Sequence, residues 1–291
     1  MSDVTVPADL ASLSETQLEV LERKIATRYL QVVPWSAVVW GFGNCFMFLS
    51  LIPLVMLNVL PMWLGFILAT IGVIACYLPS HEAQHSIIAS KGRPLRWLNE
   101  LLGHVSTIPM VAPYRVLRAT HMEHHAHCND CELDPDFGVH AESDWAFLKQ
   151  ELHRRVRGDN DAYTDALVRT GQEKLVLDGV VYELIFLALM FGLAWSGYAL
   201  EAFFLWWLPR HIGITYISYY LSWAPHHPAE EEGRYRDTRA FKSQLGNFMS
   251  MGMQYHIVHH LYPRIPLALT PAAYRELRPI LAYRKCELGE M

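Results

Sequence analysis

"SAVVWGFGNCFMFLSLIPLVML" occupies residues 36–57, and "VLPMWLGFILATIGVIACYLP" follows at 59–79. Neither stretch contains a charge. Each is about the 20 residues that an α-helix needs to cross the hydrocarbon of a bilayer. Only Asn58 separates them, so they read as a helical hairpin through a membrane rather than as two buried core helices. Two more apolar runs follow. Residues 179–200 contain Glu183 as their one charge, and 202–224 are interrupted by Arg210 and His211. The expected fold is an all-α integral membrane protein, a multi-pass chain with four transmembrane helices in two hairpins. The spans lie at about 36–57, 59–79, 179–200 and 202–224.

The basic residues give the orientation. All of the 24 Lys and Arg except Arg210 fall within 1–35, 80–178 and 225–291. Two hairpins place those three segments on one side, and the positive-inside rule makes that side cytoplasmic, with both termini. Residues 1–35 read as a cytoplasmic N-terminal segment holding an amphipathic helix, "SETQLEVLERKIATRYL" (14–30), in which Ser14 and Gln17 fit a capping box. The charged stretch precedes the first apolar run by too far for a cleavable signal pattern. Residues 36–291 then form the membrane domain with its cytoplasmic helical cap.

The formal net charge of −5 gives no reason to expect nucleic acid as a partner. Of the five cysteines, Cys128 and Cys131 form a C-x-x-C, but no second such pair exists to complete a zinc site. On a reducing side of the membrane the spacing reads as incidental. The charged stretch "PAEEEGRYRD" (228–237) reads as a solvated loop.

Histidine is what the membrane reading leaves unexplained. "HEAQH" carries His81 and His85. "HMEHHAH" carries His121, His124 and His125, with His127 after them. "QYHIVHH" carries His256, His259 and His260. The last two share one H-x-x-H-H spacing. On a helix, residues three and four apart lie on one face, so each set can converge on a point. Eight of the 15 histidines thus fall in three clusters. Imidazole suits iron, copper, zinc and nickel. A mononuclear site takes three or four protein ligands, so eight are too many for one ion and enough for two. A zinc hydrolase is the competing chemistry, with Glu82 or Glu123 as its base. Eight neutral ligands beside a bilayer argue instead for a dimetal oxidase that binds iron, activates dioxygen and acts on an apolar substrate.

The three clusters resemble the histidine boxes of the membrane fatty acid desaturase superfamily. The resemblance extends to "WLNELLGH" (97–104), "PYRVLRATHMEHHAHCND" (113–130) and "HIVHHLYPRIPL" (256–267). These are similar to segments of acyl-lipid desaturases and of the beta-carotene hydroxylases of the same superfamily. The resemblance covers roughly residues 36–270. It implies a non-haem di-iron centre (two Fe ions), O2 as co-substrate, a long apolar lipid substrate, and a separate electron-transfer protein of ferredoxin or cytochrome b5 type. The implied metal ligands are His81, His85, His121, His124, His125, His256, His259 and His260. A motif between the second and third boxes often adds a further ligand. "WAPHHP" stands there, which makes His226 the candidate and His227 the lesser one. Pro225 and Pro228 are expected to interrupt regular helix around it. His104 matches a family histidine outside the boxes, with a supporting role. The resemblance is broken at "NDCELDPD", where Cys131 replaces a proline. Asp130, Asp134 and Asp136 there are suited either to hold the outer nitrogens of ligand histidines or to cap helices.

The leading reading is desaturation of a fatty acyl chain; hydroxylation of a carotenoid ring is the alternative. Both start with abstraction of one hydrogen. A second abstraction leaves a double bond, and return of oxygen leaves an alcohol. A metal transporter or metal store is the alternative of a different class. Transport would place ionisable groups within the spans, and the first two spans have none.

Overall fold

The computed structural model describes residues 6–7, 9–30, 32–157 and 161–289. The ends of the expected cytoplasmic segments, residues 1–5 and 290–291, lie outside them, as do residues 8 and 31. Among the described residues there are helices and no strands. In chain order they are α1 (Glu15–Thr27), α2 (Trp35–Met56), α3 (Met62–Ile74), α4 (Tyr77–Gln84), α5 (Arg96–Ser106), α6 (Tyr114–His127), α7 (Asp144–Arg157), α8 (Asp161–Arg169) and α9 (Val176–Trp195). Then come α10 (Ala199–Ala202), α11 (Leu208–Ile217), α12 (Ala224–His226), α13 (Asn247–Ser250), α14 (His256–Leu261) and α15 (Thr270–Tyr283).

Among the described residues, three helices are long and apolar enough to cross a membrane: Trp35–Met56, Met62–Gln84 and Glu173–Trp195. The first two match the first two apolar runs closely, and the third overlaps the run expected at 179–200 but begins and ends about five residues earlier. The second continues past the expected boundary, through α4, and so ends on the first histidine cluster. The fourth run is helical throughout, but Pro209, Arg210 and His211 dilute its apolar character and it is not one of the three. Two π-helical segments, Phe203–Trp207 and Ser218–Trp223, join α10, α11 and α12 into one continuous helix. Each π segment lies just before a proline, Pro209 or Pro225. Proline has no N–H and crowds the carbonyl four residues back, and a widened turn relieves both. The expected interruption at Pro225 is therefore placed one residue too early. The helix passes through Pro225, stops at His226, and leaves His227 extended.

Polar groups tie the bundle together where water cannot. Asn44 of α2 donates to the Gly72 carbonyl of α3 at 2.8 Å. Between α5 and α6 the chain makes a single 3₁₀ turn, Ile108–Met110, whose Met110 packs among Phe48, Leu51, Val73, Phe186 and Trp206. Irregular backbone at such depth needs partners from protein. Trp206 Nε1 donates to the Pro109 carbonyl at 3.1 Å, and Arg210 Nε donates to the Met110 carbonyl at 3.0 Å. The Arg210 guanidinium also lies 3.4 Å from Glu183. The single charges of the third and fourth apolar runs thus answer each other. Arg210→Leu is expected to destabilise the protein by about 1–3 kcal/mol, the cost of stranding a buried acceptor. Thermal unfolding in detergent checks this. Adding Glu183→Leu should cost less than it does alone, because its partner is already gone.

On the histidine side, α1 packs against α15. The capping box of α1 is formed: Ser14 N–H donates to Gln17 Oε1 at 2.8 Å, and Gln17 N–H donates to Ser14 Oγ at 3.3 Å. The buried face of α1, Leu18 and Ile25, packs on Leu277, Ile280 and Leu281 of α15. Glu22 is fully buried in that contact, accepting from the Tyr262 and Tyr235 hydroxyls at 2.7 and 3.1 Å and facing Arg284 at 3.3 Å. The segment "WLNELLGH" is α5, and it packs on α4. Asn99 Nδ2 donates to the Ala83 carbonyl at 2.9 Å, and the Tyr114 hydroxyl donates to the same atom at 3.0 Å. A Cβ on Gly103 would come within 2.3 Å of the Tyr114 ring, so only glycine permits that approach.

Candidate metal centre

Four helices deliver the clustered histidines to one place. His81 lies near the end of α4, with His85 one residue past it. His121, His124 and His125 share a face of α6, and His256, His259 and His260 belong to α14. His226 closes α12. Two groups result. His81, His85, His121 and His259 have ring nitrogens that all lie within 4.8 Å of one another. The Nε2 atoms of His85 and His121 are 2.8 Å apart, and His125 Nε2 lies 3.2 Å from that of His121 and 3.0 Å from that of His259. In the second group His124, His226 and His260 lie with Cys128 inside the same 4.8 Å limit. His256 Nε2 is 3.1 Å from His226 Nε2. The groups adjoin, because the rings of His125 and His260 stack with centroids 4.2 Å apart.

Nitrogens about 3 Å apart are spaced as neighbouring ligands around one ion with bonds of about 2.0–2.1 Å. Burial, helped by mutual repulsion between the rings, holds His85, His121, His125, His226, His256, His259 and His260 well below the ordinary imidazole pKa. Neutral imidazole is the form that binds a metal. His81 Nδ1 and His260 Nε2 are buried without a partner in the protein, an expensive arrangement unless a cation supplies one. The residues present therefore fit a pair of metal ions.

Outer contacts fix which nitrogen faces inward. His124 Nδ1 lies 2.9 Å from Asp134 Oδ1. For His124, burial opposes protonation but the Asp134 carboxylate outweighs it and raises the pKa. Asp134 is itself held by the Asn129 and Asp136 backbone N–H groups at 3.0 and 2.8 Å. His226 Nδ1 donates to the Asp237 carbonyl at 3.2 Å. A carboxylate or carbonyl oxygen only accepts, so both rings carry their hydrogen on Nδ1 and turn the Nε2 lone pair inward. Asp134→Ala is expected to weaken metal retention about 10–100-fold. Metal analysis after dialysis against graded chelator reads it, with His104→Ala as the unchanged control.

Comparison with known proteins agrees with this geometry. The family described as "Fatty acid desaturase" matches residues 57–289. The chain belongs to the fatty acid desaturase family. It is similar to the "sn-1 oleoyl-lipid 12-desaturase" of Picosynechococcus sp., 27% identical over 52% of this chain and 38% of that one. It is also similar to the "sn-2 acyl-lipid omega-3 desaturase (ferredoxin), chloroplastic" of Helianthus annuus, 20% identical over 71% of this chain and 53% of that one. The "Delta(9) fatty acid conjugase-like enzyme" of Dimorphotheca sinuata is 22% identical over 88% of this chain and 73% of its own. The matched part spans about half the length or less of the first two relatives.

In this desaturase-family chain every histidine singled out from the boxes lies in one of the two groups or between them, and His226 joins them. His227 does not; its ring lies against Trp223, centroids 4.7 Å apart. His104 stands apart, 3.4 Å from the Tyr182 hydroxyl. Of the three acids, Asp134 holds a ring nitrogen, Asp130 accepts from the Glu132 and Leu133 N–H groups in a turn, and Asp136 accepts from the Tyr163 hydroxyl at 2.8 Å. Glu123 pairs with Arg169 at 3.1 Å. The residue that sequence reading passed over is Cys128. Cys131 is exposed, but Cys128 is buried with Sγ 3.2 Å from His226 Nδ1. Its signal was its place four residues after His124, at the C-terminal cap of α6, not the C-x-x-C.

Proposed function

We propose that this chain is a membrane-bound, non-haem di-iron, O2-dependent oxidoreductase that introduces a double bond into a fatty acyl chain. The observation that carries this is the pair of adjoining, buried imidazole groups at the end of a membrane helix. His81, His85, His121 and His259 would hold one iron and His124, His226, His256 and His260 the other, with His125 between them. Bound iron would supply the means of abstracting hydrogen from an unactivated C–H bond with dioxygen. The protein's own part is to bury these imidazoles, to hold most of them neutral, and to fix the orientation of His124 and His226 through Asp134 and the Asp237 carbonyl. Burial of the groups keeps bulk water from the reacting carbon. The acyl-lipid names of the relatives support the substrate class, and the word ferredoxin in the name of the Helianthus annuus relative supports a separate electron donor.

The test is expression in a host that supplies both acyl lipids and beta-carotene, followed by lipid mass spectrometry. Loss of two hydrogens from an acyl chain is the expected result. Gain of one oxygen on a carotenoid ring would replace desaturation by hydroxylation, and no change in either lipid would overturn the oxidase reading.

The same reading assigns the fourth run as a span, giving two hairpins with both termini and all three boxes cytoplasmic. Single cysteines introduced as Ser90→Cys and Glu232→Cys, in a cysteine-free background, are then labelled from the same side of sealed vesicles. Labelling from opposite sides would show that residues 202–224 do not cross.

A further inference from the structure

A cavity of about 590 Å³ lies beside the histidine groups without containing any of them. Its mouth is on the outward face of the spans, where Trp40, Ile71 and Phe248 are exposed. Its wall includes Ala37, Leu78 and Glu82. Glu82 belongs to "HEAQH", but successive residues on a helix are turned by about 100°. The face of α4 that carries Leu78 and Glu82 therefore looks into the cavity while His81 faces the metal groups.

Glu82 is 2% exposed. Its Oε1 accepts the Leu267 backbone N–H at 2.7 Å, and its Oε2 is buried with no partner. The other polar lining groups do not reach it. Ser36 and Asn247 are exposed at the mouth, and the Tyr216 hydroxyl is committed to the Met249 carbonyl at 2.5 Å. An apolar cavity with one unanswered oxygen in its wall is built for a long chain with one polar group. A buried polar atom left unpaired is costly, so an occupant that pairs it binds preferentially. A hydroxyl both donates and accepts, and so matches a carboxyl oxygen whether or not that oxygen carries a proton.

We infer that this cavity binds a membrane lipid through one long apolar chain bearing a hydroxyl, and that Glu82 Oε2 selects for that hydroxyl. The inference deepens the lipid-oxidising reading proposed above and rests on it for the identity of the ligand as substrate. The lipid enters sideways from the bilayer, and its hydroxyl registers the chain one helix face away from His81.

Binding rather than turnover tests it. The full-length protein in nanodiscs is equilibrated with radiolabelled 1-hexadecanol, and hexadecane, methyl palmitate and 1,2-dioleoylglycerol are used as competitors. Hexadecanol is expected to bind at least about tenfold tighter than hexadecane. Glu82→Gln should keep that preference, since its amide oxygen still serves Leu267 and its amide nitrogen faces the cavity. Glu82→Leu should abolish it. Ala75→Phe, which fills the cavity, should remove binding of both chains. Competition by dioleoylglycerol assigns the hydroxyl to a glycerol headgroup; failure of dioleoylglycerol to compete assigns it to a hydroxylated chain. Equal binding of hexadecane and hexadecanol by the unaltered protein overturns the inference, as does tighter binding of methyl palmitate than of hexadecanol. If the preference holds but no lipid is oxidised, the oxidase reading fails and the binding site stands.

Discussion

His259→Ala is expected to take the protein from two metal ions per chain to one or none, and lipid oxidation to background. His259 is the α14 member of the first group, and no other α14 histidine belongs to it. Its Nε2 is 3.0 Å from that of His125, the ring that adjoins both groups, so its loss disturbs the second ion as well. Removing an outer hydrogen-bond partner already costs about 10–100-fold in metal affinity, and removing a ligand costs more. Iron analysis of the purified protein and mass spectrometry of host lipids check the two halves separately. The substitution creates only a small void beside other imidazoles, so the protein should still insert and purify. One firmly bound zinc in the unaltered protein, or full activity in the variant, would sink the di-iron reading.

The second large effect separates two adjacent histidines. His226→Ala is expected to lower both iron content and activity severely, while His227→Ala leaves both within about twofold. His226 is 3% exposed, has its hydrogen fixed on Nδ1 by the Asp237 carbonyl, and points Nε2 at His256. His227 follows the end of the helix and rests on Trp223. A His226→Asn variant offers a shorter oxygen or nitrogen donor, and partial recovery of iron in it would indicate that coordination, rather than packing, is what alanine removes. Equal effects at both positions would show that the loop matters as a whole and that His226 has no special place in it.

Much of this was legible in the chain, because helical periodicity and bilayer thickness are both local rules. The uncharged runs at 36–57 and 59–79 announce two long apolar helices, and H-x-x-H-H places three rings on one helix face. What periodicity cannot carry is partnership between segments. Nothing in the sequence says that Arg210 reaches Glu183 and the Met110 carbonyl, so the charge looked like an interruption of a span. Nothing says that Asp134, rather than Asp130 or Asp136, meets His124, since all three are within reach along the chain. The widened turns before Pro209 and Pro225 depend on how a whole helix relaxes around a missing donor. Cys128 was set aside because its neighbour Cys131 suggested a thiol pair. Its relation to His124 is the helical one.

Both histidine groups depend on α14, and α14 has only six residues. A helix that short does not persist alone in water. It is held where it is by packing of Ile257, Val258 and Leu261 against Tyr274 and Leu277, in the same core that clasps α1 to α15. During synthesis the long apolar helices leave the ribosome well before this segment does. For that interval the nascent chain is a membrane protein with His81, His85 and the α6 rings waiting and neither cup closed. Its first and last described helices must meet before an ion can be enclosed, so a chain that stalls late in translation is inserted yet empty. Any ion the two groups take is thereby enclosed only by the finished polypeptide, and half-built copies have no closed site in which to hold one.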